Sequence, residues 1–157
     1  MAETLSWLTL LLLAQWFFGN LYEGVVLVPN LRSLIETKSR AGGALFETKR
    51  SSPVAYYVPV SLMMVPLIIT LTIRAWLDHR PGLPYITFAC LPLALGLALT
   101  VYIVRAISLP LFFHAQLDLT QTEKLLKRWK ALNCVRLLLA GSSLLAVILW
   151  TRTIVRT

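Results

Sequence analysis

The sequence predicts an all-α fold, a four-helix transmembrane bundle with both termini on the same side, and three observations carry that expectation. Hydrophobic residues make up 57% of the chain and charged residues only 14%, against roughly 45–50% and about 25% in soluble domains. The apolar residues gather into four stretches, each near the ~20 residues a helix needs to cross a bilayer core about 30 Å thick. The cations fall mainly between those stretches. One integral membrane domain, 1–157, accounts for the whole chain.

The first span is expected over about 5–29. Glu3 precedes it where a signal peptide carries positive charge, and no Ala-x-Ala follows, so it reads as a retained span. The second is expected over 54–77 and the third over 84–113; Pro59, Pro66, Pro92 and Pro110 lie inside them, as membrane helices tolerate when neighbours satisfy the freed carbonyls. The fourth is expected over 131–150, with 121–130 as a helical lead in which Glu123 and Lys127 are spaced for an i,i+4 pair.

Charge sets the expected orientation. Arg32, Lys38, Arg40, Lys49 and Arg50 lie between the first two spans, and Lys124, Lys127, Arg128 and Lys130 lead into the fourth. On the opposite side stand Arg74, Arg80, Arg152 and Arg156, and nine cations against four put the two basic loops in the cytoplasm. A multi-pass protein of a bacterial inner membrane is the expected setting. The net charge of +8 is dispersed with no platform of stacking aromatics, so anionic lipid is expected as partner rather than nucleic acid. Cys90 and Cys134, with no CxxC spacing, read as small core residues, and no metal or cofactor site is expected.

Five residues break the apolar pattern: Asn20, Glu23, Arg105, Asn133 and Arg136. An ionisable group within a span costs about 2.5–3.5 kcal/mol on insertion scales, so each needs a partner and marks a candidate site. Trp16, Asn20 and Glu23 share the spacing W-x3-N-x2-charge with Trp129, Asn133 and Arg136, which puts each triplet on one helical face. Glu23 and Arg136 each lie about 9 Å inside the end of their span at 1.5 Å per residue, so an antiparallel arrangement pairs them. Arg105, about 12 Å inside the third span, is expected to face the same carboxylate. Two guanidiniums to one carboxylate would leave a surplus cation for an anionic ligand such as a phenolate or a quinone oxygen. Tyr56, Tyr57, His114, Gln116 and Asp118 are expected near the mouth of such a pocket.

The stretch 125–136, LLKRWKALNCVR, resembles the L-L-x-x-W-x-x-L-N-x-x-R signature of the anthrone oxygenase-like family of small four-helix membrane proteins. GNLYEGVVLVPN at 19–30 and PVAYYVP at 53–59 are similar to the family's patterns in the first and second helices. The resemblance implies a substrate pocket in the bundle and, for the polyketide members, oxidation of an anthrone by molecular oxygen with no recognised cofactor. It carries over to Trp129, Asn133 and Arg136. Between the third and fourth helices the chain departs from the family's proline-threonine-asparagine segment, having HAQLDLT at 114–120.

Two functional readings follow. The first is a cofactor-independent membrane oxygenase or oxidoreductase for a lipophilic phenolic or quinone-like molecule, with Glu23, Arg136 and Arg105 as catalytic residues and Asn20, Asn133, Trp129, Tyr56, Tyr57 and His114 as binding residues. The second is a non-catalytic membrane subunit or scaffold that meets a protein partner, or another copy of itself, through its helices. There Glu23 and Arg136 only fix helix order.

Overall fold

The computed structural model describes residues 2–33, 54–113 and 119–155, with side chains from 3–33, 59–111 and 119–155. The described residues form four long helices. Helix α1 runs from Ala2–Tyr22 through a π-helical segment, Glu23–Leu27, to residue 33. Helix α2 is Val54–Leu77; α3 runs through Leu83–Ile103, a second π-helical segment Val104–Ser108, and Leu109–Phe113; α4 is Leu119–Val155. All four are long and apolar enough to span a membrane, and the all-α four-helix bundle is the observed fold.

The span boundaries differ from expectation at their basic ends. Helix α1 continues four residues past the expected bound at Pro29, while α4, one helix of 37 residues and about 55 Å long at 1.5 Å per residue, contains the expected helical lead 121–130 and extends past both of its expected ends. Each π segment lies just before a proline, Pro29 or Pro110, whereas Pro66 and Pro92 sit inside turns that stay α-helical. A proline ring clashes with the carbonyl four residues back, here that of Val25 for Pro29 and of Ala106 for Pro110. In each helix the residue before the proline bonds five residues back, Val28 N–H to Glu23 O and Leu109 N–H to Val104 O. The widened turn lets the helix continue past the proline. Helix α2 ends in a tight C-terminal cap, with Arg80 N–H donating to Ala75 O at 3.0 Å and His79 N–H to Trp76 O at 3.3 Å. His79 takes the left-handed position, φ 49°, that glycine usually fills.

Helix neighbours are α1 with α2, α2 with α3, α3 with α4 and α4 with α1, a closed ring in which consecutive helices are antiparallel. The interior is layered. One apolar cluster uses all four helices, including Leu13, Trp16, Met64, Leu71, Ile86, Leu93, Val147 and Trp150. A smaller one towards the other end uses Val28, Leu31, Ile103, Ile107, Leu111, Leu126 and Trp129. Between them along α1, α3 and α4 lie Asn20, Glu23, Thr100, Asn133 and Arg136, all buried. Glycine sets the closeness of this packing at two points. A Cβ on Gly96 would sit 2.6 Å from the ring tip of the fully buried Trp16, and one on Gly24 would sit 2.9 Å from Asn133 Nδ2.

Candidate functional site

The polar layer joins α1 to α4. Arg136 Nη2 donates to Glu23 Oε2 in a buried ion pair. Its Nε donates to Asn133 Oδ1 at 3.1 Å, its Nη2 reaches the same oxygen at 2.5 Å, and Nη1 donates to Thr100 Oγ1 at 3.5 Å. Thr100 can accept because its own proton goes to Gly96 O at 2.8 Å. Trp129 Nε1 donates to Glu23 Oε2 at 3.4 Å. Asn133 Nδ2 donates to the backbone carbonyl of Asn20 at 2.7 Å, through the gap that Gly24 leaves. The W-x3-N-x2-charge faces therefore do meet. The guanidinium has a carboxylate, an amide and a hydroxyl around it, which is how an ionised pair survives away from water.

One part of the layer is not satisfied. The Asn20 side chain is fully buried, and neither its Oδ1 nor its Nδ2 has a hydrogen-bond partner among the described residues. The same holds for Nε1 of the fully buried Trp16, one turn earlier on the same face. An unsatisfied buried polar group costs about 1–3 kcal/mol. The two side chains thus present two donor nitrogens, with three N–H bonds between them, and one acceptor oxygen beside the ion pair.

Arg105 lies elsewhere. It is exposed, and among the described residues no ion pair joins it to Glu23. The register between α3 and α4 gives the reason. Ser143 donates to Ala89 O, Arg136 meets Thr100, and Arg128 meets Tyr102 by a hydrogen bond and by stacking 5.4 Å from the ring centre. Continuing that antiparallel register places Arg105 level with Lys127, among the basic residues at the helix ends. Because the apolar residues of α3 run past the level at which α4 turns basic, counting inward from residue 113 overstated the depth of Arg105. Among the described residues the surplus cation is therefore absent from the polar layer, where one guanidinium faces one carboxylate.

Of the other expected residues, Tyr56 and Tyr57 fall in α2, but their side chains lie outside the described residues, as do His114, Gln116 and Asp118. Glu123 and Lys127 form no ion pair with each other among the described residues. Cys134 is exposed, on the outer side of α4, and is not a core residue; Cys90 is half-buried, with Sγ 3.4 Å from Thr72 Oγ1. The sequence reading missed Thr100 as a partner of Arg136. Its signal was the spacing Gly96-x3-Thr100, which puts a hydroxyl one turn from a residue small enough to admit Trp16.

No protein-family model matches this chain, and no curated protein or solved structure matches it.

Proposed function

We propose that the protein binds a lipophilic molecule bearing a carbonyl or phenolic oxygen in the polar layer between α1 and α4, and that it acts on that molecule as a membrane oxidoreductase. The observation that carries this reading is the pair of buried, unpartnered groups, the Asn20 amide and the Trp16 indole N–H. These two donor nitrogens and one acceptor oxygen match a neutral quinone or phenol oxygen. With Arg105 outside, a ligand anion would find no free cation, so the neutral form is the one that fits. Glu23, held by Arg136 and Trp129, stands one turn from Asn20, where a carboxylate accepts a phenolic proton. The resemblance to the anthrone oxygenase-like family supports the oxidoreductase class, with molecular oxygen as the oxidant and no resident cofactor.

In the same proposal the basic ends face the cytoplasm of a bacterial inner membrane, supported by the charge asymmetry of the loops. The test is ligand binding to the purified protein, read as quenching of tryptophan fluorescence by a hydrophobic quinone or anthrone. Saturable quenching, lost in Asn20→Leu and retained in Ser142→Ala on the exposed side of α4, is expected. Quenching that is non-saturable or insensitive to Asn20→Leu refutes it.

A second reading rests on a specific observation as well. Glu23, Arg136 and Asn133 are paired with one another, which is what an interhelical lock requires. A non-catalytic subunit or scaffold would need nothing more. It predicts a stoichiometric protein partner, or a homo-oligomer, on purification, and Arg136→Lys variants that lose assembly.

A further inference from the structure

We propose that the cleft between the end of α1 and the start of α4 is a binding site for the phosphate headgroup of an anionic phospholipid. The cleft holds about 120 Å³ and is lined by three cations, Arg32, Lys127 and Lys130, with one carboxylate, Glu123. Its apolar wall is Val28, Pro29 and Leu126. Two excess positive charges in a concave site select an anion. Arg32 comes from one helix and both lysines from another, so the site exists only where the two helices meet.

The surroundings indicate that the anion carries acyl chains. On α1 the residues at helical spacing inward from Arg32 are Pro29 and Val25, the latter 66% exposed. On α4 the residues inward from Lys130 are Cys134, exposed, and Leu138, 73% exposed. Each stripe is apolar at depth and cationic at its end, and the ends of both, Pro29 and Arg32 on α1 and Lys130 on α4, line the cleft. A phospholipid has the same order of chemistry, with phosphate at the surface and hydrocarbon below, and basic pockets between membrane helices take such headgroups. A free phosphate would use the cations and leave the apolar stripes uncovered.

The experiment is native mass spectrometry of the full-length protein in micelles containing equal phosphatidylglycerol and phosphatidylcholine. Preferential retention of phosphatidylglycerol is expected. At roughly fivefold per lysine near a charged surface, Lys127→Gln/Lys130→Gln should weaken retention by about 25-fold. Lys124→Gln, a cation outside the cleft, should change it by less than about twofold. Glu123→Gln should strengthen retention, which keeps the test decisive if the double variant does not fold. Inorganic phosphate at 10-fold excess over the lipid should leave it bound. Equal retention of the two lipids, an equal effect of Lys124→Gln, or displacement by inorganic phosphate would overturn the proposal. The readout is independent of quinone or anthrone binding, so either proposal can fail alone.

Discussion

Removing one partner of the Glu23–Arg136 pair is the most informative perturbation of the polar layer. Glu23→Gln removes the carboxylate that neutralises Arg136, 1% exposed, and keeps the Asn133 oxygen and the Thr100 hydroxyl among its acceptors. Breaking a buried pair from one side costs about 3–5 kcal/mol, because the remaining charge is uncompensated. The two surviving acceptors put the expected loss for Glu23→Gln near the lower bound, about 3 kcal/mol. Arg136→Met leaves Glu23 with the Trp129 indole, a longer contact of 3.4 Å, so its expected loss is larger, about 4 kcal/mol. The double variant Glu23→Leu/Arg136→Met removes both charges from the interior and is expected within about 1 kcal/mol of the parent. Reversible unfolding in mixed micelles, followed by circular dichroism, measures all three. Single variants that each lose less than about 1 kcal/mol, with an additive double, would refute the claim that the two charges stabilise each other in the bundle interior.

Four further outcomes follow from particular contacts. Gly96→Ala should cost about 1–3 kcal/mol in the same assay, since its Cβ meets the Trp16 ring at 2.6 Å in a close-packed interior. Asn20→Leu should raise the stability of the ligand-free bundle by about 1 kcal/mol, because it removes two unsatisfied polar atoms; destabilisation would mean that the amide has a partner. His79→Gly should stabilise by about 0.5–1 kcal/mol, as glycine takes φ 49° without the Cβ penalty. Arg105→Gln should change stability by less than about 0.5 kcal/mol, and a loss comparable to that of Arg136→Met would show that Arg105 does reach the buried carboxylate.

The parts legible in the sequence were those set by periodicity and local spacing. Four apolar stretches define four helices, and the matched W-x3-N-x2-charge faces place Glu23 against Arg136, because residues three and four apart share a face. Asn133 was legible as part of the cluster, but its target, the carbonyl of Asn20, depends on Gly24, whose lack of a side chain matters only once α1 and α4 are brought together. Arg105 misled for a different reason. Depth was measured from the end of its apolar run, and α3 carries apolar residues such as Leu111 past the level at which α4 turns basic. Only the register of Thr100 with Arg136 and Tyr102 with Arg128 fixes that depth. The π segments were not legible, since Pro66 and Pro92 lie in turns that stay α-helical while Pro29 and Pro110 follow widened ones. Asn20 was expected as a binding residue, but that its amide has no partner among the described residues depends on how α1 packs against its neighbours.

The central proposal is that the buried Asn20 amide and Trp16 indole N–H, unpartnered among the described residues, take a ligand oxygen beside the Glu23–Arg136 ion pair. A density map of the protein purified in mild detergent tests it most directly. Elongated ligand density with an oxygen within about 3 Å of Asn20 Nδ2 or Trp16 Nε1 is the predicted result. A lone water, or a close-packed dry contact at Asn20 with no bound molecule, would contradict the ligand-binding account and leave the polar layer as an interhelical lock.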